Sequence, residues 1–175
     1  MKWRGKVFLT VFLTAFCVVL SSNLSRSFQN DQEAPLENLD HLIVQSDIIV
    51  RGSVNAIDQT LDRTFVNITV SRVYKGDESV QSLMIEHGGG KHIVDWTQPS
   101  FNSFDSAILF LEKKRGSDHY VCVNGATGKK TIRNRNVYLH PDNSFLSMKL
   151  KKYEKSLSKR IKSLDSSNKT PQASD

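Results

Sequence analysis

The sequence predicts a mainly β chain folded as a small barrel or sandwich, and three observations carry that prediction. Segments rich in β-branched residues recur at short, nearly regular intervals between residues 47 and 140, and Gly, Asn and Asp punctuate them. Segment 63–74 alternates cleanly, with Val66, Ile68 and Val70 on one face and Asn67, Thr69 and Ser71 on the other. A period of two with one apolar face is the pattern of a half-buried strand. Short strands separated by turn signals, with no alternating helices, select an all-β architecture.

Taken in order, residues 28–35 are polar and expected to be loose. "PLENLDHLIVQS" (35–46) then reads as a short helix. Pro35 suits a first turn, Glu37 and Asp40 suit the positive N-terminal end, and Leu36, Leu39, Leu42 and Ile43 share one face. Strands are expected at 47–57, 63–74, 80–87, 106–114, 119–125 and 130–140, five or six in all. "QTLD" joins the first two, "KGDES" supplies a Gly-Asp turn, and "NG" at 124–125 is a hairpin signal. The folded body is thus expected to span 36–146. Beyond it, Leu150, Tyr153, Leu157, Ile161 and Leu164 recur at three- and four-residue steps, which makes one helical stripe. Lys149, Lys151, Lys152, Lys155, Lys159, Arg160 and Lys162 fill the rest. Residues 147–166 are therefore expected to form a basic amphipathic helix, and 167–175 a disordered tail.

The N-terminus has the layout of a secretory signal peptide. Lys2, Arg4 and Lys6 precede an uncharged apolar run (7–20) and then the small polar stretch "SSNLSRS". The run falls short of the ~20 apolar residues of a spanning helix, which favours a cleaved leader (1–22) followed by a flexible linker (23–35). An uncleaved anchor is the alternative. Removing the leader removes Cys17 and leaves Cys122 as the one cysteine, so no intramolecular disulfide forms. Small exported eukaryotic domains commonly use disulfides, whereas a chain of this size buries enough core without them. The reading is a secreted or envelope-associated protein, with a lean toward bacteria. Cys122, within "YVCVN", is expected to be a small buried hydrophobe. The net charge of +6 is concentrated at the ends, because residues 28–148 carry 12 basic against 15 acidic side chains. No nucleic-acid partner is expected for the body.

The stretch "IEHGGGKHIVDW" (85–96) invites three chemistries. As an oxyanion loop it would need a serine on a G-x-S-x-G elbow, and "RGSVN" and "RGSDH" both miss that spacing. As a metal site it would need His87, His92 and Glu86 or Asp95 to converge, yet a triple glycine is a flexible support, and HExxH and CxxC are absent. "NGATGKKT" likewise lacks the spacing of a phosphate-binding loop. The sequence predicts no catalytic residue, no metal and no cofactor. The glycines are expected to end a strand and form a turn, where positive φ or close chain approach is needed. Residues 88–105 are long, aromatic and irregular, and so long a connection in a compact domain is either functional or hides an element. Trp96, Phe101 and Phe104, with His92, are the candidate ligand contacts. The competing expectation is that the aromatics fold back to plug one end of a barrel.

In order, "SDIIVRGSV", "ITVSRVYKGD", "GGG", "AILFLEK" and "HYVCVNGATGKKTI" resemble small exported bacterial proteins with an OB-like barrel of the kind seen in tissue inhibitors of metalloproteinases and netrin modules. The resemblance covers roughly residues 39–138. It implies an OB-like barrel of five to six strands, here with a short N-terminal helix and a basic C-terminal one. The inhibitors' N-terminal cysteine and bracing disulfides have no counterpart, so no inhibitory residue is carried over. The expected role is a non-enzymatic binding or regulatory module at the cell envelope. A small exported hydrolase or nuclease, and an inhibitor of an exported enzyme, are the alternatives. Expected partners are an exported or surface protein, and an anionic membrane or cell-wall polymer met by the seven basic residues of the C-terminal helix.

Overall fold

The computed structural model describes residues 39–140 and 143–167. The leader, the linker and the tail after residue 167 lie outside them, as do the first residues of the expected N-terminal helix.

The chain is mainly β. Helix α1 (Leu39–Gln45) leads into strands β1 (Ile48–Gln59), β2 (Arg63–Lys75), β3 (Ser82–Gly88), β4 (Ser106–Lys113) and β5 (Tyr120–Cys122). A 3-10 turn (Gly125–Gly128) precedes β6 (Lys129–Arg133), β7 (Asn136–His140) and β8 (Asn143–Lys149), and helix α2 (Leu150–Ser167) ends the described chain.

The first five strands close on themselves in the order β1-β2-β3-β5-β4-β1. All pairings are antiparallel except β3 with β5, which is parallel and rests on the single pair Ile85 and Tyr120. This is the OB-like barrel expected from the sequence. β4 serves two neighbours along one edge: its last residues pair with β5 and its first with β6. β6, β7 and β8 continue from there as an antiparallel extension.

Closing so few strands requires strong coiling, and the β1–β2 register shifts at Arg51/Gly52. Gly52 sits at that point because a Cβ there would lie 2.5 Å from Ile68 Cγ2 and 2.7 Å from the Thr69 carbonyl oxygen. The triple glycine ends β3 as expected. Gly89 has φ +85°, and a Cβ on Gly90 would lie 2.5 Å from the Thr60 carbonyl oxygen. The Gly90 N–H donates to Ile93 and that of Lys91 to Thr60, which ties this turn to the β1–β2 loop.

Two apolar layers hold the body. Alternate residues fill the barrel: Ile48, Val50, Val54, Val66, Ile68, Leu83, Ile85, Leu109, Leu111 and Cys122. The residues between them on β1 and β4, Ile49, Ile108 and Phe110, point outward and are equally buried. They belong to a second layer with Leu39, Leu42 and Ile43 of α1, Val137 and Met148 of β7 and β8, and Tyr153, Leu157 and Ile161 of α2. Burial on both faces explains why β4 reads as a continuous apolar run. Each fully buried aliphatic side chain contributes on the order of 1.5–3 kcal/mol. Lys75 completes the end of α1, its ammonium donating to the carbonyls of Ile43 and Ser46.

Three features depart from the expected element list. "NG" at 124–125 does not turn a hairpin: the expected strand 119–125 is reduced to β5 (Tyr120–Cys122), and β5 and β6, separated by the 3-10 turn, each pair with β4 rather than with each other. The segment 130–140 is a hairpin, not one strand, turned by Asn134 (φ 50°) and Arg135 (φ 61°). Strand β8 occupies the residues immediately before α2, so the helix starts at Leu150 rather than at 147.

Candidate functional site

The segment 88–105 places its aromatics in two different settings. Phe101 turns inward, packs against the barrel core, stacks on His87 with ring centroids 5.9 Å apart, and lies 4.4 Å beneath the Lys129 ammonium. Trp96 and Phe104 remain 89% and 87% exposed, and His92 is exposed too. The segment is held in shape by its own short-range bonds. The Asp95 carboxylate accepts from the Thr97 N–H and hydroxyl, which holds it below the usual carboxylate range. Asp105 accepts from the Asn102 N–H and pairs with Lys129 at 3.0 Å. Phe104 adopts φ 66°, unusual for a bulky side chain, between the Asn102 turn and its own N–H bond to the Val54 carbonyl. One aromatic therefore plugs the barrel end while two stand in solvent.

A second cluster lies on the outer β2–β3 surface, between the β1–β2 loop (60–62) and the β4–β5 loop (114–119). In OB barrels this strand face and these two loops form the usual ligand surface. Inward residues Thr64, Val66 and Ile68 force Arg63, Phe65 and Asn67 outward, and β3 sets Met84 opposite Asn67 and Glu86 opposite Phe65. Glu86 is only 6% exposed. Its Oε1 accepts from Arg63 and from Lys114 Nζ, and its Oε2 lies 3.2 Å from His119 Nδ1. A carboxylate can only accept, so His119 carries its proton on Nδ1. Phe65 meets the edge of the same imidazole, centroids 5.5 Å apart. The hydrogen bond from Lys114 is the largest influence on Glu86, and with His119 and Arg63 it outweighs desolvation and holds the carboxyl at about 2.

The position of this cluster explains its form. Arg63 comes from β2, Glu86 from β3, and Lys114 and His119 from the ends of the β4–β5 loop. It therefore spans the seam where β3 and β5 share a single residue pair, and charged side chains bridge a gap that the backbone ladder leaves thin. A carboxylate engaged by three donors is fixed as an ion at neutral pH and cannot act as a proton donor there. Among the described residues, no three His, Cys, Asp or Glu side chains gather in a way that could hold a metal ion.

The third feature is α2. Its stripe of Tyr153, Leu157 and Ile161 is buried in the body. At ~100° per residue, Lys151, Lys152, Lys155, Lys159 and Lys162 fall on the opposite face, and all five are exposed. Lys149, at the end of β8, is exposed as well. The flanks of the helix are tied down: Arg160 reaches Asp40 of α1 at 3.4 Å, and Glu154 accepts from Arg51 at 3.1 Å and from the Tyr74 hydroxyl.

The sequence points to the aromatic segment and to the basic helix but not to the Glu86 cluster. Its members are scattered over residues 63–119 and meet only through strand register. The one local hint was an acidic residue in a strand whose neighbours, Ile85 and Met84, are apolar. The chain matches no family model and no curated protein.

Proposed function

We propose that this chain is an exported, non-enzymatic binding or regulatory module of the cell envelope. It meets an anionic membrane or wall polymer through the outer face of α2. The observation that supports this reading is the division of α2 into two faces: the apolar stripe is used up inside the fold, and lysines dominate the face left to solvent. Each basic residue near an anionic membrane adds ~1 kcal/mol of attraction, which fades beyond a Debye length of ~8–10 Å. The barrel leaves the β2–β3 surface and the 88–105 segment accessible for a further ligand.

The test is co-sedimentation with phosphatidylglycerol-containing vesicles and with purified cell wall, across a salt series. Deleting α2 would strip the buried stripe from the core, so the informative variant replaces Lys151, Lys155, Lys159 and Lys162 together by Gln. Binding to an anionic surface should weaken by roughly two to three orders of magnitude in that variant and fall steeply with salt in the native chain. Binding that is equal in both chains, or is insensitive to salt, would overturn the proposal.

A second reading is an inhibitor of an exported enzyme. The exposure of Trp96 and Phe104 on a segment fixed by its own hydrogen bonds favours it, since rigid aromatics are frequent anchors at protein interfaces.

A further inference from the structure

The β6–β7 hairpin creates a cleft that lies apart from both the Glu86 cluster and α2. Val137 and Leu139 are buried, so the alternate positions, with Lys129, Thr131 and Arg133 on β6 and Tyr138 and His140 on β7, share the other face. The segment 99–105 runs over that face. Together they enclose about 290 Å³, with Asn102 and Asp105 contributed by the covering segment. This is close to the lower end of the ~300–1,000 Å³ range of small-molecule sites.

The chemistry of the lining is one-sided. The Lys129 ammonium is fixed at one wall: it donates to the Ser100 carbonyl and to Asp105, and it lies over the Phe101 ring. That pair cancels the one acidic group that the described residues bring to the lining. Arg133 lines the same cleft and, among the described residues, forms no ion pair with an acid. Among the described residues the lining thus keeps one positive charge, that of Arg133. Thr131, Tyr138 and Asn102 line the same cleft, and their hydroxyl and amide groups can all donate. Donors that share a cleft with an uncompensated guanidinium match a group with several acceptor oxygens and negative charge.

We propose that this cleft binds a small organic anion through a carboxylate or phosphoryl group. Arg133 holds the oxyanion, Thr131 and Tyr138 orient it, and the Lys129–Asp105 pair keeps the covering segment in place. The site is independent of the lysines of α2 and would be selective for small solutes rather than surfaces.

The experiment is an amide-resonance titration of the exported chain with glycerol 3-phosphate, with glucuronate and, as neutral controls, with glycerol and glucose, all at constant ionic strength. Saturable shifts confined to residues 99–105, 129–133 and 136–140 are expected with at least one of the two anions and with neither neutral compound. A response to one anion alone identifies the head group. Arg133→Gln should weaken binding by about tenfold or more, the scale of one charge-assisted hydrogen bond, with Arg133→Lys in between. Arg133 is exposed on the hairpin, so the native dispersion of the spectrum should survive both changes. No shift with either anion, shifts spread along α2, or equal affinity in Arg133→Gln would each overturn the proposal.

Discussion

Replacing Glu86 by Gln keeps the shape of the side chain and removes the charge that three donors share. The carboxyl is held at about 2 against its ordinary 4.5, and at ~1.36 kcal/mol per pH unit its ionisation contributes at most ~3 kcal/mol to folding. That ceiling is not reached. Glu86 itself is covered, but what covers it is wet: the Arg63 and Lys114 side chains are 50% and 36% exposed. Water screens pairs of this kind, so a loss of roughly 1–2 kcal/mol is expected for Glu86→Gln at pH 7. The sign with pH follows from the depressed value. The contribution is fully present above about pH 4.5, where the unfolded chain is already ionised, and it is lost as pH falls toward 2. Urea unfolding of both chains at pH 7, 5 and 3, at one ionic strength, measures the difference directly. It should be constant from pH 7 to 5 and clearly smaller at pH 3. A difference that is the same at all three values, or a Gln variant as stable as the native chain at pH 7, would refute the view that this cluster clasps the β3–β5 seam.

Two further outcomes follow from buried groups. Lys130 has its ammonium inside the second layer with only the Leu139 carbonyl to receive it, at 2.8 Å, and burial pushes it down to about 8. Charge there opposes folding, so Lys130→Met should stabilise the chain by ~1–2 kcal/mol at pH 7. The advantage should shrink as pH rises from about 8 to 10.5, where the unfolded lysine also loses its proton, and urea midpoints across that range would show it. Cys122 lies in the barrel core, and burial pushes its thiol up to about 12. A disulfide reagent at pH 8 should leave Cys122 unmodified in the native chain and label it in denaturant, as peptide mapping would show; rapid labelling of Cys122 in the native chain would contradict the packing described.

Much of the fold was legible because local periodicity dictates it. The alternation through Val66, Ile68 and Val70 marked the inward face of β2, and the stripe of Leu39, Leu42 and Ile43 marked the buried face of α1. What failed was partner choice. The hairpin of β6 and β7 turns on Asn134 and Arg135, both at positive φ, and Arg is a poor advertisement for a turn that Asn-Gly usually announces. β8 contributes the buried Met148, but its exposed Phe145 breaks any clear inside–outside pattern. The Glu86 cluster depends on three separate pairings, β2 with β3, β3 with β5 and β4 with β5, and none of them is encoded by local spacing.

The helix α2 shows how the same periodicity supports opposite functional readings until packing is known. A basic amphipathic helix in isolation inserts its apolar face between lipids and uses its lysines to find an anionic surface. Here Leu157 is fully buried and Tyr153 and Ile161 nearly so, all within the body that contains α1, β7 and β8. Freeing that face would expose core, at about 2–5 kcal/mol for each large side chain removed from its packing. The membrane contact we propose is then electrostatic and superficial. Binding governed by lipid charge and salt, with no dependence on acyl-chain packing and no change in helix content, is the pattern this arrangement requires. An inserting helix would show the reverse, and only by unfolding the second apolar layer.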